Sequence, residues 1–411
     1  MVGLTQGWGV SPGPFPSRIM HTRCAGFSKT GARYRVPGIG YRLSDTWDLV
    51  PGTGAESTPR AEHRASKTEP GYWKTRTPGL HPSVPRVSGK GPSLMDWTVG
   101  VDIGGTKIEA ALVDDSGVVR HLHREATRAD QGPTAVLARL RACIQTVLGR
   151  APGPVRAVGI GFAGQVNAST GVVYYAPNLP GWRDVPLKAE LEAALGLPVF
   201  VLNDVHAAAW AERTYGAGQG WDDLVCVFIG TGVGGGVILG GRLQTGASGS
   251  LGEIGHMPIV ADGRTCRCGG RGCLEAYVGG WAIAEQVQAD IRDHPAEWGD
   301  VGPPEAFTAE TLADLYRRGH PRAQYWFDRL GRYLGFGMVG VVNVLNPQGL
   351  ILGGGVLQGF PEWTEVVAAT IREWALPSAA RIVEVRLAGL GRHGGLIGAA
   401  AWARRKLQRS P

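Results

Sequence analysis

The sequence predicts an α/β protein built from two related halves that face each other across a cleft. Three observations carry that prediction. From Asp96 onward, apolar β-prone runs alternate with helix-period stripes, the arrangement in which helices cover sheets. A strand, a glycine-rich turn and a second strand open the first half at 97–113, and the same order returns at 224–239. The length, 411 residues, suffices for two or three domains and a large buried core.

The strands 97–103 and 107–113 flank Gly104-Gly105-Thr106, which reads as a hairpin turn. A helix from about 133 to 148 sets Val136, Leu137, Leu140, Ile144 and Val147 on one stripe. A strand at 155–162, a helix at 187–195 and a strand at 199–202 follow, the last ending at Asn203-Asp204. A helix at 205–215 closes this unit. The second half has a strand at 224–229, a glycine turn at 231–236 and a strand at 237–239. Helices are expected around 280–292, 309–318 and 323–344, then a strand at 350–352 that runs into Gly353-Gly354-Gly355. A strand at 382–388 and a small-residue helix at 395–406 end the chain. The implied division is a small domain at 95–205 and a large one at 206–394, with the C-terminal helix (395–408) packing back on the small domain.

Residues 1–94 have a different texture. They hold 11 of the 27 prolines and 14 of the 64 glycines and show no apolar period. Such a segment is expected to stay unfolded, because it has too little apolar surface to offset its ordering entropy. It reads as an Arg-rich targeting or regulatory tail or as a plain extension. The first strand begins two residues after Met95, so Met95 is expected to be the start and 1–94 a non-native leader. The leader carries 13 Lys/Arg and 5 Asp/Glu, a net of +8, which leaves −1 for the other 317 residues of a chain with net +7. The basic excess therefore argues against a nucleic-acid groove on the body. No run is long and apolar enough for a signal peptide or a membrane span.

Four motifs carry chemistry. Asp102-Ile103-Gly104-Gly105-Thr106-Lys107 offers a glycine turn for close backbone approach to a polyanion, a hydroxyl, a cation, and a carboxylate for magnesium. Gly230-Thr231-Gly232-Val233-Gly234-Gly235-Gly236 repeats that logic, or is simply a tight hairpin. Gly354 and Gly355 leave room for an adenine or ribose. Asp204, at the end of a strand where ligands of open α/β sheets bind, is either a general base or a helix cap, with Asn203 beside it to fix a hydroxyl.

His256 and the run Cys266-Arg267-Cys268-Gly269-Gly270-Arg271-Gly272-Cys273 have the composition of a closed tetrahedral zinc site with one imidazole and three thiolates. Thiols in that spacing fit a reducing cytoplasm rather than a disulfide framework. Glu253 and Glu275 lie near those ligands, as acceptors for sugar hydroxyls or as solvated acids. Asn178 is a further polar contact or a turn residue, Trp182 a stacking surface or an anchor, and His206 a helix-surface residue.

Taken together, 102–107, Asn203-Asp204, 230–236, Leu251-Gly252-Glu253-Ile254-Gly255-His256 and the cysteine cluster with Leu274-Glu275 resemble the ROK sugar kinases, most of all the bacterial glucokinases. The resemblance covers essentially 95–411. It implies a two-domain actin-like ATPase (ribonuclease H-like) fold with an interdomain cleft. It also implies cytoplasmic, ATP-dependent phosphorylation of a hexose with Mg²⁺, a structural Zn²⁺, and a homodimer or homotetramer. By motif, Asp204 becomes the base for the sugar 6-hydroxyl, and Asn178, Asn203, Glu253, His256 and Glu275 contact the pyranose. His256 would serve both metal and sugar, since a metal on one ring nitrogen fixes the tautomer of the other.

Ala163, where a proline is common, and Val205-His206, where Ala-Asn is frequent, depart from the family pattern. They bear on sugar preference rather than on the reaction. The alternatives are a kinase for mannose, fructose, N-acetylglucosamine or N-acetylmannosamine, and a sugar-sensing repressor. The last is disfavoured because 1–94 shows no helix-turn-helix pattern. The phosphate donor is ATP, ADP or polyphosphate.

Overall fold

The computed structural model describes residues 96–408. The expectations for 1–94, including the start at Met95, lie outside the described residues. Along the chain run β1 (Trp97–Ile103), β2 (Lys107–Val113), β3 (Val119–Ala126), α1 (Gly132–Leu148) and β4 (Val155–Phe162). Next come β5 (Gln165–Asn167), β6 (Val172–Tyr175), β7 (Arg183–Val185), α2 (Leu187–Leu195), β8 (Val199–Asn203) and α3 (Asp204–Tyr215). The pattern then restarts with β9 (Leu224–Ile229), β10 (Val233–Leu239) and β11 (Arg242–Gln244). Helices α4 (Glu275–Val278), α5 (Gly280–Asp293), α6 (Pro295–Trp298), α7 (Ala309–Arg317) and α8 (Pro321–Leu345) follow. The last elements are β12 (Gly349–Gly353), α9 (Gly355–Gly359), α10 (Trp363–Trp374), α11 (Pro377–Ala380), β13 (Glu384–Leu387) and α12 (Gly394–Leu407).

Two five-stranded sheets have the same topology. One is ordered β3-β2-β1-β4-β8 and the other β11-β10-β9-β12-β13. In each, the first strand of the glycine hairpin is central. It pairs antiparallel with its hairpin partner and parallel with the next strand: β1 with β2 and β4, β9 with β10 and β12. The central strands are covered on both faces, which is why they are nearly continuous apolar runs; Val99, Val101, Ile103, Val225 and Val227 are fully buried. A third, small sheet is ordered β5-β6-β7.

α12 returns to the first sheet and also packs on α3, and glycines make the approach possible. A Cβ on Gly159 would lie 1.9 Å from the Ala399 carbonyl oxygen, one on Gly100 2.3 Å from that of Leu396, and one on Gly398 1.7 Å from that of Ala207. At the far end of α12, Arg404 donates to the carbonyls of Val113 (3.0 Å) and Asp114 (2.9 Å). The buried Glu212 on α3 accepts from the N–H groups of Ala217, Gly389 and Leu390, joining α3 to the chain that leads into α12. Backbone, not a flexible side chain, meets any added carbon at Gly159. Gly159→Ala is therefore expected to cost about 3 kcal/mol and to lower the thermal midpoint by about 5–10 °C. An unchanged melting curve would contradict this packing.

Three details differ from the sequence reading. Gly234, Gly235 and Gly236 belong to β10 rather than to a turn. They are small because the strand lies flush on its neighbours: a Cβ on Gly234 would meet Val205 at 2.7 Å, and one on Gly236 would meet Ala209 at 2.4 Å. The boundary drawn after 205 falls inside α3. β3, the small sheet and α10 were not anticipated; β3 is a polar edge strand, and β5 and β7 have three residues each. No helix among the described residues is long and apolar enough to cross a membrane.

Candidate active site

Asp102 at the end of β1 and Asp204 at the start of α3 line one cavity of about 450 Å³, together with Gly353, Gly354, Gly355, Arg392 and Gly395. The ends of β1, β8 and β12 meet there, the place where open α/β sheets bind ligands. Gly354 is held at φ +93°, and a Cβ there would lie 2.3 Å from the Ile229 carbonyl oxygen, so the turn after β12 needs glycine.

The cap of α3 is Asn203, whose Oδ1 accepts from the N–H groups of Val205 (3.0 Å) and His206 (3.1 Å). Its Nδ2 donates to Asp204 Oδ1 (2.9 Å) and to the Gly164 carbonyl (3.2 Å). Asp204 is thus the first helical residue rather than the cap, and Asn203 orients its carboxyl group. Burial, with the Asp102 carboxylate adding to it, raises Asp204 to about 7. Asp102 is raised to about 6, also chiefly by burial, against a downward pull from Lys107. A carboxyl that titrates near neutrality is suited to taking a proton from a hydroxyl. Two such carboxyls in one cavity are oxygen donors of the kind a hard divalent cation takes.

The first glycine turn is closed by Gly104 N–H donating to the Lys107 carbonyl (3.0 Å), and Thr127 Oγ1 donates to the Gly104 carbonyl (2.7 Å). Nothing lies within 4 Å of a Cβ on Gly104, whereas one on Gly105 would meet the Asn178 carbonyl oxygen at 2.8 Å. The segment carrying Asn178 therefore rests on this turn. Lys107 is less free than its position suggested. Its Nζ donates to Glu109 Oε2 at 2.6 Å, because residues two apart on a strand share a face, and Arg124 binds the same buried carboxylate. Burial alone would raise Glu109, but hydrogen bonds from Lys107 and Arg124 outweigh it and hold the carboxyl below its usual range.

The second glycine turn packs on the helices behind it, with the carbonyls of Gly230 and Thr231 accepting from Gly280 N–H (2.9 Å) and Trp281 N–H (3.3 Å). Gly230 and Thr231 line a second cavity of about 400 Å³ with Trp281, Thr308, Glu310 and Gly355. Gly355 lines both cavities, so the two adjoin. Glu275 is buried, not solvated. Its Oε2 accepts from Val233 N–H (2.9 Å), and its Oε1 from Trp281 Nε1 (3.3 Å). A Cβ on Gly232 would lie 2.6 Å from that Oε2, so the carboxylate braces the turn directly.

One ligand atom from each of His256, Cys266, Cys268 and Cys273 lies within 4.8 Å of the others. Cys268 and Cys273 Sγ are 3.8 Å apart, as are Cys266 Sγ and His256 Nδ1. Gly269 (φ +91°) and Gly272 (φ +73°) make the turns that gather the sulfurs. Burial pushes the Cys266 thiol up to about 12, so that sulfur ionises here only with a cation beside it. The donor set fits a metal ion in tetrahedral geometry. His256 Nε2, on the other side of the ring, is 4.0 Å from Glu253 Oε2.

A small cavity of about 70 Å³ beside α3 is lined by Gln165, Asn203, His206, Ser250 and Glu253. His206 was expected on the helix surface and is buried instead; its Nε2 donates to the Leu251 carbonyl at 2.7 Å. Trp182 is an anchor, fully buried and 4.8 Å from the Phe162 ring. Sequence reasoning did not single out Trp281, Glu310 or Arg392, which come from segments without a motif and reach the cavities only through the fold.

The ROK family profile matches residues 98–406. The glucokinase of Streptomyces coelicolor is 38% identical over 318 residues, covering 75% of this chain and 98% of that protein. The crystal structure of a ROK family glucokinase from Streptomyces griseus, in complex with glucose and AMPPNP, superposes with a TM-score of 0.66 at 36% identity, covering 75% of this chain and 99% of that one. The relatives also include an N-acetylmannosamine kinase of Escherichia coli (32% identical, covering 74% of this chain and 98% of that protein) and a xylose repressor of Bacillus spizizenii (28%, 74% and 75%).

Proposed function

This chain belongs to the ROK family, and we propose that it is a glucokinase that transfers the γ-phosphoryl group of ATP to the 6-hydroxyl of glucose. The fold is the two-domain actin-like ATPase fold, with its sheet topology present twice. The observation that carries the reading is the placement of Asp102 and Asp204 in a cavity that adjoins the second glycine turn. A sugar kinase needs a base and a phosphate cradle within reach of each other. The higher identity to the Streptomyces coelicolor glucokinase (38%) than to the N-acetylmannosamine kinase (32%) supports glucose over the other hexoses.

In the reaction, Asp204 takes the proton of the sugar hydroxyl as the O6–P bond forms, and the bond between the γ-phosphorus and the bridging oxygen breaks with ADP leaving. Asn203 keeps the Asp204 carboxyl oriented through its Nδ2. Glu253 and His256 present an acceptor and a ring nitrogen to the sugar, and Asn178 contributes from the loop against Gly105. Glu275 braces the second turn from behind through Val233 N–H, and its assignment to the sugar rests on the family motif. Gly104, Gly105 and Thr106, with Gly230, Thr231 and Gly232, offer their backbone to the phosphates, whereas Gly234 is taken up by packing on Val205; Gly354 and Gly355 seat the nucleoside. Asp102 would hold Mg²⁺, which neutralises phosphate charge when bound. His256, Cys266, Cys268 and Cys273 would hold Zn²⁺, which ties down the loop that carries the acidic groups.

The two lobes, each built on one of the five-stranded sheets, close over the cleft and exclude water. The protein acts in the cytoplasm, where its thiols stay reduced, as a homodimer or homotetramer. Purified protein with ATP, ADP or polyphosphate and a panel of hexoses tests the reading: ADP release with glucose and ATP is expected, and phosphorylation of no hexose would overturn it. The xylose repressor among the relatives makes a sensor the reading that failure would favour.

A pH–rate profile follows from Asp204. The base works ionised, and its free-enzyme value is about 7, so kcat/KM for the hexose is expected to fall about tenfold per unit below that pH. A profile flat to pH 5 would remove Asp204 from the role.

A further inference from the structure

We propose that His206 is a positioning residue that sets the spacing between Asp204 and the loop carrying Glu253, and so governs hexose affinity. The inference rests on the hexose-kinase reading. His206 lies two residues beyond Asp204 in the first turn of α3, and its N–H is fixed by Asn203 Oδ1 at 3.1 Å. Its ring is buried, and Nε2 donates to the Leu251 carbonyl at 2.7 Å. A carbonyl only accepts, so Nε2 carries the proton; burial lowers the ring's pKa and keeps it neutral.

The far side of the same loop is pinned differently. Gly252, at φ +98°, lies so close to β10 that a Cβ there would be 2.5 Å from the Gly235 carbonyl oxygen. Leu251 N–H also donates to the Thr245 carbonyl at 3.1 Å. The loop is thus clamped between β10 and the helix that bears the base, and His206 is the clamp on the helix side. His206 and Glu253 line the same small cavity, together with Asn203. Losing the donor leaves the Leu251 carbonyl without that bond and lets the loop drift, which weakens every contact Glu253 makes. The nucleotide-facing turn has its own braces in Glu275 and α5, so the effect falls on the sugar.

His206→Phe keeps the ring volume and removes the donor; His206→Gln restores an N–H at nearly the position of Nε2. The phenylalanine variant is expected to raise the hexose KM about tenfold or more, with the ATP KM within about twofold and the metal content unchanged. The glutamine variant is expected to recover most of the loss. If the phenylalanine variant does not fold, as judged by its melting curve, His206→Leu takes its place. An unchanged hexose KM, equal defects in the phenylalanine and glutamine variants, or a parallel rise in both KM values would overturn the assignment while leaving the wild-type kinase reading intact. Wild-type protein that binds hexose by calorimetry without phosphorylating it would overturn the kinase reading alone, and the same variants compared by Kd would then decide the role of His206. Wild-type protein that neither binds nor phosphorylates any hexose would overturn both.

Discussion

Replacing Asp204 by asparagine is expected to lower kcat by at least about a hundredfold, the scale of a lost general base. The hexose KM should stay close to the wild-type value. The substitution is gentle because Asp204 Oδ1 accepts from Val205 N–H and from Asn203 Nδ2, both at 2.9 Å, and an amide oxygen at the same position accepts from both. The fold should gain rather than lose. A carboxyl raised to about 7 contributes stability only while protonated, and that contribution disappears as the pH rises through 7. Above pH 7 the wild type therefore holds a buried charge beside Asp102, which the asparagine variant does not. Its thermal midpoint at pH 8 is expected to equal or exceed that of the wild type. Steady-state kinetics and a melting curve read the two effects separately. Wild-type turnover in this variant would eliminate Asp204 as the base, and a lower midpoint would eliminate the electrostatic account of its raised pKa.

Most of the architecture was legible because each element announced itself by period or by punctuation. The central strands are apolar throughout, and α1, α5, α7 and α8 carry stripes and begin or end within two or three residues of the expected positions. The misreadings share a cause. A glycine marks either a turn or a close approach, and a single sequence does not distinguish them: Gly234–Gly236 are strand residues because α3 and the 252–254 segment lie on them. The candidate site shows the same limit. The Cys/His spacing is local and was readable, since four candidate ligands within eighteen residues come together. The burial of His206 and Glu275 depends on neighbours from distant segments, Leu251 and Val233, that no spacing reveals, as does the second cation, Arg124, on the carboxylate that Lys107 binds. Asn203 and Asp204 were both singled out, but which of the two caps α3 is set by backbone angles that either residue type adopts.

Cys268→Ser is expected to cost the site its metal and much of its hexose affinity. A hydroxyl is a far weaker zinc ligand than a thiolate, and even changes one step removed from a metal cost 10–100-fold in affinity by general experience, so a loss of at least about a hundredfold is expected here. Other bonds hold the turn itself, among them Cys266 N–H to the Gly270 carbonyl at 2.8 Å, Gly272 N–H to that of Arg264 at 2.8 Å, Ile259 N–H to that of Gly272 at 2.8 Å and Arg267 to Glu285 at 3.2 Å, but none of these reaches the His256 ring. Once the ion leaves, His256 is untied, and with it the segment that presents Glu253. The hexose KM should rise about tenfold or more. A second consequence follows from Glu275, which lies two residues beyond Cys273 and holds Val233 N–H at the base of the second glycine turn. Through it the loosened loop also disturbs the phosphate cradle, so the ATP KM should rise too, by a smaller factor because Trp281 Nε1 still holds the Glu275 carboxylate. Metal analysis of the purified variant, with both KM values, separates the two routes. Full metal content with both constants unchanged would show that Cys268 is not a ligand; lost metal with both constants unchanged would show that the cluster does not support either site.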